Sequence, residues 1–296
     1  MAGPLAIFTH IQVILSYTFG VFINSQIVLA YVKGWRQNRK VHVLDQILLS
    51  TAITNILLQN FVTLDNIFFQ LYIYVLYAKE MIIYVFILII LLIECSFWNT
   101  SWLSVYYCLK LVKISHPFVL WMKARFSCFV CYILIGTAIG SLAINFPFVW
   151  TMHVDFQDNV TNPTGNSYKI QMDLSYTIFD LMLGCFLPFF LSFVSLGLSV
   201  LYLLKHVLRV KNNGSHIPGP QIEGHIGAVR TMILRLILDL TFCVTIASSV
   251  TSEYSVSTAW DSVWWTMISF YPSVQSLVLI LSNAKLKKKL CCHRCL

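Results

Sequence analysis

Residues 81–113 read MIIYVFILIILLIECSFWNTSWLSVYYCLKLVK. A single charged residue, Glu94, interrupts this apolar run before Lys110 and Lys113 end it. About 20 apolar residues in a helix are enough to cross roughly 30 Å of bilayer hydrocarbon. The stretch therefore predicts a membrane-spanning helix over residues 81–109.

Basic residues give this span a direction. Of the 20 Lys and Arg residues, all except Lys79 and Lys169 fall in four short stretches between long apolar segments. Lys and Arg remain on the cytoplasmic side during membrane insertion, so the four stretches are predicted to be cytoplasmic. The pattern predicts an all-α membrane protein, a seven-transmembrane helix bundle with its N-terminus outside and its C-terminus in the cytoplasm. The predicted spans are 7–32, 43–64, 81–109, 126–150, 175–204, 227–250 and 262–283.

The composition agrees with a membrane protein. Hydrophobic residues make up 58% of the chain and charged residues 11%, which excludes an ordinary soluble domain. The net charge of +8 is interpreted as topology together with attraction to anionic membrane lipids, and not as a nucleic-acid site. We expect residues 1–296 to form one seven-helix domain in the plasma membrane, with a short basic tail over 284–296.

Cysteines are absent from the predicted outer loops, so no disulfide is expected there. The six cysteines within the spans are interpreted as small buried hydrophobic residues. Cys291, Cys292 and Cys295 in the tail lie beside Lys287–Lys289. This arrangement predicts palmitoylation next to a polybasic anchor. The cluster lacks the paired ligand spacing of zinc modules, so no metal is predicted.

One glycosylation sequon lies where the modifying enzymes can reach it. Asn159-Val160-Thr161 falls in the predicted second outer loop, and Asn159 is therefore predicted to carry a glycan. A second sequon, Asn213-Gly214-Ser215, falls on the cytoplasmic side. We expect it to remain unmodified.

Motifs of enzymes do not occur in the chain. There is no Gly-rich phosphate loop, no HExxH and no nucleophile elbow. The sequence therefore predicts neither a catalytic residue nor a cofactor, and a receptor is the favoured class.

Several motifs follow one another in the order of the spans. The clearest runs from Leu103 to Lys110 and continues over Ser115–Arg125. Others occur at Asn24–Lys40 with Asp45–Leu48, Leu187–Phe189 with Lys205-His206, His225–Arg230, and Tyr271–Lys287. Together these segments resemble the type 2 (bitter) taste receptor family of G-protein-coupled receptors. Their order and spacing across seven spans make the set specific.

Departures from the family pattern indicate a divergent member. Gln275 stands where the family's seventh-span motif has His, and Thr54-Asn55 stands where it has a Ser-Arg pair. Ile93 and Ile89 align with the Asn and Trp that are frequent in the third span. These changes affect residues expected near the ligand more than residues expected to form the fold.

The resemblance implies a receptor for small organic compounds, bitter or toxic, that enter from outside. It also implies coupling to a heterotrimeric G protein of the gustducin-like or inhibitory class. The expected ligand-binding residues are Phe86, Ile89, Ile90, Ile93, Glu94, Asp180 and Trp265. The expected G-protein contacts are Tyr107, Lys110, His116, Lys205, His206, His225 and Arg230.

Two other classes stay open at this point. A pheromone receptor of the vomeronasal type 1 kind shares some of this architecture, but the Leu-Lys and His-Pro-Phe run after the third span disfavours it. A membrane transporter would need charged residues along a continuous path, whereas these spans contain scattered single polar groups.

Polar residues inside the spans need partners, because hydrocarbon supplies none. Asn24 and Asn55 are predicted to hydrogen-bond between helices, with Ser276 and Asn283 completing the network. Arg235 and Asp239, four residues apart, form either a local ion pair or a latch to neighbouring helices. Glu94 and Asp180 are each interpreted either as a carboxyl bonded to a neighbour or as a contact for ligand amines.

Overall fold

A computed structural model describes residues 4–38, 42–70, 79–112, 117–157, 167–212, 220–252 and 258–282. The first four long helices are α1 (Pro4–Asn38), α2 (Val43–Gln70), α3 (Lys79–Leu111) and α4 (Pro117–Asn145). A short helix, α5 (Phe148–Thr151), precedes strands β1 (His153–Gln157) and β2 (Ser167–Gln171). The fifth span consists of α6 (Leu174–Leu181), a π-helical turn (Met182–Phe186) and α7 (Leu187–Asn212). Helices α8 (Pro220–Ser252) and α9 (Thr258–Ser282) follow. Each predicted span overlaps one of these long helical segments.

Length and composition suit these helices to a bilayer. Five apolar stretches within the described helices are long enough to cross it, and α9 contributes a shorter apolar stretch. The five are Ile11–Arg36, Val43–Ile67, Glu80–Leu111, Leu120–Thr151 and Leu174–Lys205, and the shorter one is Thr266–Leu281. Large apolar side chains such as Phe22, Tyr132 and Phe190 point away from the bundle, as is normal where the solvent is lipid.

Helix α3 lies at the centre of the bundle. It packs against α2, α4 and α7, while α9 closes the ring by packing against α1, α2 and α8. One apolar core joins α1, α2, α3 and α4 around Ile27, Ile47 and Leu103. A second joins α2, α3, α8 and α9 around Phe97 and Tyr271. Because α3 takes part in both cores, its side chains touch most of the other helices.

Strands β1 and β2 form an antiparallel hairpin between the fourth and fifth spans. Val154 pairs with Ile170 and Phe156 with Tyr168. The sequence prediction did not include this hairpin, because strands of five residues contain too few alternations to stand out from a loop. The face of the bundle nearest to it is called the hairpin side below.

The cysteine prediction is correct for only part of the set. Cys108, Cys185 and Cys243 are buried, whereas Cys128 and Cys131 are exposed on α4. The prediction of burial was wrong for these two because α4 packs mainly against α3 and leaves most of its surface to lipid. The thiol of Cys131 donates to Gln46 Oε1 at 3.2 Å.

Asparagines connect α1, α2 and α9 as predicted. Ser276 Oγ donates to Asn24 Oδ1 at 2.7 Å, and Asn55 Nδ2 donates to Ser276 Oγ at 3.2 Å. Asn24 Nδ2 uses the backbone oxygen of Gly20, at 2.9 Å. The predicted interhelical bonding of Asn24, Asn55 and Ser276 is confirmed, while Asn283 lies outside the described residues.

A second set of bonds lies one turn nearer the hairpin side. Gln59 Nε2 donates to Ser273 Oγ at 2.7 Å and to the backbone oxygen of Ser16 at 3.1 Å. Gly20 allows this contact, because a Cβ at position 20 would overlap the Gln59 amide and Ser273 Oγ. The missing side chain at Gly20 therefore makes room for the bonds between Gln59, Ser273 and Ser16.

Replacing Gly20 by Ala is expected to lower the free energy of unfolding by about 1–3 kcal/mol, the usual cost of overpacking. The measurement is the thermal denaturation midpoint of the purified protein in detergent. Gly136→Ala is the matched control, since a Cβ at position 136 would meet nothing within 4 Å. Equal midpoints for the two variants would contradict the close contact at Gly20.

Candidate functional site

A carboxyl cluster joins the third, fourth and fifth spans. It consists of Glu94 on α3, Ser141 and Asn145 on α4, and Asp180 on α6. Glu94 is 1% exposed and Asp180 7% exposed, and their carboxyl groups interact directly. Asn145 Nδ2 donates to Glu94 Oε2 at 2.9 Å. Two acidic side chains thus lie together inside the bundle, held by one amide.

A π-helical turn lies directly beside this cluster. Pro188 has no N–H, so the carbonyl four residues earlier, at Gly184, loses its α-helical partner. The chain responds with the widened turn Met182–Phe186. Gly184 faces Glu94, and a Cβ at this position would overlap the Glu94 carboxyl. The turn and its glycine together make room for Glu94.

An outer apolar cluster covers the carboxyl cluster toward the hairpin side. Its buried members are Ile87, Phe148 and Met152, and Phe86, Ile90 and Tyr176 pack against them. The rings of Phe148 and Tyr176 meet edge to face with centroids 4.8 Å apart. The hydroxyl of Tyr176 donates to the backbone oxygen of Ile144. These side chains separate the carboxyl groups from the hairpin.

A second polar group, the inner network, joins α3, α8 and α9. Arg235 is 4% exposed, and its Nε and Nη2 atoms donate to Thr100 Oγ1 at 2.9 and 2.5 Å. Gln275 Nε2 donates to Ser96 Oγ at 2.9 Å and to Thr100 Oγ1 at 3.3 Å. Thr100 is therefore shared between the sixth and seventh spans.

Tyr271 links Asp239 to Gln275 and so to the rest of the inner network. Its hydroxyl donates to Asp239 Oδ1 at 2.9 Å and accepts from Gln275 Nε2 at 3.2 Å. The ring lies between Phe97 and Phe242, with centroid distances of 5.9 and 4.4 Å. This packing fixes the direction of the hydroxyl.

Nearly the whole chain matches one known protein family. Residues 1–294 match the family described as taste receptor protein (TAS2R). The chain belongs to this family. It is similar to taste receptor type 2 member 9 of Papio hamadryas, at 30% identity over 92% of this chain and 88% of the relative. It is also similar to member 7 of Macaca mulatta, at 29% identity over 92% and 87%, and to member 41 of Mus musculus, at 27% identity over 97% and 95%.

Membership of this family confirms the resemblance predicted from the sequence motifs. The taste receptor is a multi-pass membrane protein of the G-protein-coupled receptor type, and its family consists of receptors, not enzymes.

The taste receptor's predicted ligand residues fall into three places. Ile89 and Ile93 belong to the buried core around Phe97 and Tyr271, whereas Phe86 and Ile90 pack in the outer apolar cluster. Glu94 and Asp180 meet in the carboxyl cluster. The side chain of Trp265 lies outside the described residues. Five of the predicted residues thus lie on one broad face of α3, and Asp180 reaches Glu94 from α6.

The predicted coupling residues that the structure describes lie at the end of the bundle opposite the hairpin. Lys110, Lys205 and Arg230 are exposed, and Tyr107 packs against both the core around Ile27 and Leu103 and the apolar group of Leu196, Val229 and Met232. Arg230 also lines a cavity of about 250 Å³ with Leu203, Val229, Ile233 and Leu234. The other predicted residues or side chains lie outside the described part of the chain, namely His116, His206, His225, the glycosylation site Asn159, and Cys291, Cys292 and Cys295.

Sequence reasoning missed several polar partners. Ser141 and Asn145 are four residues apart on α4, and Ser96 and Thr100 are four apart on α3. This spacing places each pair on one helix face, and polar pairs on one face of an apolar helix signal a partner there. Gln275 was noted only as a departure from the family, yet it donates to three side chains.

The alternatives for Arg235 and Asp239 are now distinguishable. Arg235 hydrogen-bonds to α3 through Thr100, and Asp239 hydrogen-bonds to α9 through Tyr271. Both side chains use their hydrogen bonds to reach other helices, although their charges still attract. The geometry favours a latch between helices over a local ion pair.

Exchanging the two residues tests this latch. Removing one member of a buried charge pair costs about 3–5 kcal/mol, so Arg235→Gln and Asp239→Asn are each expected to lower the thermal midpoint strongly. The double variant Arg235→Asp with Asp239→Arg is expected to remain as unstable as either single variant, because the longer side chain then faces Tyr271. A double variant with the original midpoint would show that the pair acts locally.

Proposed function

We propose that the receptor binds small organic compounds, bitter or toxic, from outside the cell and activates a heterotrimeric G protein inside it. The observation that carries this proposal is the match of residues 1–294 to the taste receptor family. In the proposed orientation the N-terminus and the hairpin are outside, and the basic stretches and C-terminus are cytoplasmic. The distribution of Lys and Arg supports this orientation.

The proposed ligand site lies on the hairpin side, next to α3. Its apolar part consists of Phe86, Ile89, Ile90 and Ile93, with Trp265 from the seventh span, and its polar part consists of Glu94 and Asp180. Sites for small molecules are mostly apolar with a few placed polar groups that fix orientation. The outer apolar cluster beside two acidic groups has this character.

The proposed coupling surface lies at the cytoplasmic ends of the third, fifth and sixth spans. Ligand binding favours a state in which the fifth and sixth helices separate there, and the G protein then binds, so signalling is a shift in the population of two states. The contact between α7 and α8 near this end is a small apolar group of Leu196, Val229 and Met232. A contact of this size is easier to open than the polar connections between α3, α8 and α9.

The proposed partners are bitter agonists, membrane lipids, and a G protein of the gustducin-like or inhibitory class. Palmitoylation of Cys291, Cys292 and Cys295 beside Lys287–Lys289 anchors the tail to the inner leaflet. The inner leaflet is anionic, which favours such a basic segment.

A signalling assay tests the function. Cells that produce the receptor with a chimeric Gα subunit are exposed to a panel of bitter compounds, and cytosolic calcium is recorded. We expect concentration-dependent responses that vanish when Gα is omitted. Lys110→Ala is expected to reduce the maximal response severalfold, whereas Lys123→Ala, an exposed basic residue on α4, is the control. Silence across the panel, with receptor present at the cell surface, would contradict the proposed ligand class.

Glycosylation tests the orientation. Asn159→Gln is expected to remove a glycan that endoglycosidase releases, which is seen as a shift of one glycan on a denaturing gel. Asn213→Gln is the matched control, because this sequon is proposed to be cytoplasmic and should give no shift. A glycan on Asn213 would reverse the proposed topology.

A further inference from the structure

The carboxyl cluster contains four buried oxygens that lack a hydrogen bond of good geometry. Glu94 Oε1, Ser141 Oγ, Asn145 Oδ1 and Asp180 Oδ1 have no hydrogen-bond partner. The amide of Asn145 already donates to Glu94 Oε2 and to the backbone oxygen of Ser141, both at 2.9 Å. A buried polar atom without a partner costs about 1–3 kcal/mol. Four such atoms in one place indicate that a group with several donors is missing.

The cluster is also unbalanced in charge. Glu94 and Asp180 lie close enough for their carboxyl groups to interact. Among the residues that the structure describes, no Lys, Arg or His forms an ion pair with either. Two adjacent buried carboxylates repel each other unless a cation or a proton lies between them. A shared proton would relieve this repulsion alone, whereas a cation with several N–H groups would also reach the unpaired oxygens.

The surroundings distinguish an organic cation from a hydrated inorganic one. Phe86, Ile90 and Tyr176 lie directly toward the hairpin side of the carboxyl groups. An apolar surface of this kind gains free energy by covering hydrocarbon, whereas a hydrated metal ion gains nothing from it. An organic cation would place its charged group at the carboxyls and its apolar body against Phe86, Ile90 and Tyr176, which are only partly buried.

We propose that Glu94, Asp180 and the oxygens of Ser141 and Asn145 bind the primary or secondary ammonium group of organic amines. This inference rests on the proposed function, because it names the chemical class of ligand for that site. An ammonium group offers two or three N–H donors to the four unpaired oxygens and places one positive charge between the two carboxyl groups. A quaternary ammonium has the charge without the donors, and an alcohol has one donor without the charge.

Gly184 connects this site to the π-helical turn. Because a Cβ at position 184 would overlap the Glu94 carboxyl, the glycine keeps Glu94 in the position from which it reaches Asp180. By contrast, a Cβ at position 197 on α7 would meet nothing within 4 Å. The two glycines therefore form a matched pair for moving the Glu94 carboxyl without removing it.

Three six-carbon probes test the proposal on the full-length receptor purified in detergent. Hexylammonium, hexyltrimethylammonium and 1-hexanol are titrated while the thermal midpoint is followed. We expect hexylammonium to raise the midpoint and the other two to have little effect. Asp180→Asn and Glu94→Gln should each weaken the apparent affinity for hexylammonium about tenfold or more, as the loss of a hydrogen bond to a charged group predicts. Gly184→Ala should weaken it also, and Gly197→Ala should not.

Each other outcome has a definite meaning. Equal effects of the three probes, or full affinity in the Asp180→Asn and Glu94→Gln variants, would overturn the proposal. Stabilisation by sodium chloride with none by hexylammonium would assign the cluster to an inorganic cation and overturn it as well. If Glu94→Gln fails to fold, Asp180→Asn and Gly184→Ala decide. If the receptor responds to the bitter panel but does not bind hexylammonium, the proposed function stands and this inference is rejected. If it responds to neither, both are rejected.

Discussion

The need of buried polar groups for partners governs the whole bundle. Hydrocarbon offers no hydrogen bonds, so each polar side chain must find its partner on another helix or in the backbone. Thr100 on α3 illustrates the constraint, because it receives Arg235 from the sixth span and Gln275 from the seventh. Apolar packing alone does not select one arrangement of helices in lipid, since lipid tails are as apolar as the side chains. The polar contacts of α3 supply that selection.

The two polar regions of α3 differ in how completely they are satisfied. Among the buried side-chain atoms of the inner network, Nη1 of Arg235 is the one without a hydrogen-bond partner. In the carboxyl cluster, one residue on α3, two on α4 and one on α6 are each left with an unpaired oxygen. A satisfied network holds helices in place, whereas an unpaired buried polar group is costly until it gains a partner. The difference fits a bundle that is fixed at its middle and receptive on the hairpin side.

Much of the site was within reach of sequence reasoning, and the limits have physical reasons. Glu94 and Asp180 attract attention because a charge in an apolar span is costly. That they interact with each other depends on Gly184 in the π-helical turn, because a Cβ there would overlap the Glu94 carboxyl. Asn145 lies inside the predicted fourth span, but it was missed because its partner, Glu94, is on another span and spacing along the chain does not connect the two. Arg235 and Asp239, at a spacing of four, looked like a local pair, and only the positions of Thr100 and Tyr271 showed otherwise.

The sequence by itself determined that the chain crosses the membrane repeatedly and belongs to the taste receptor family, because apolar length, basic stretches and ordered motifs are properties of the linear chain. The same is true of Asn24 and Asn55, whose polarity in hydrocarbon requires partners. Tertiary structure alone decided which partners those are, where α4 exposes Cys128 and Cys131, and that Glu94 meets Asp180. These facts depend on distances between segments far apart in sequence, and residue type and spacing do not specify such distances.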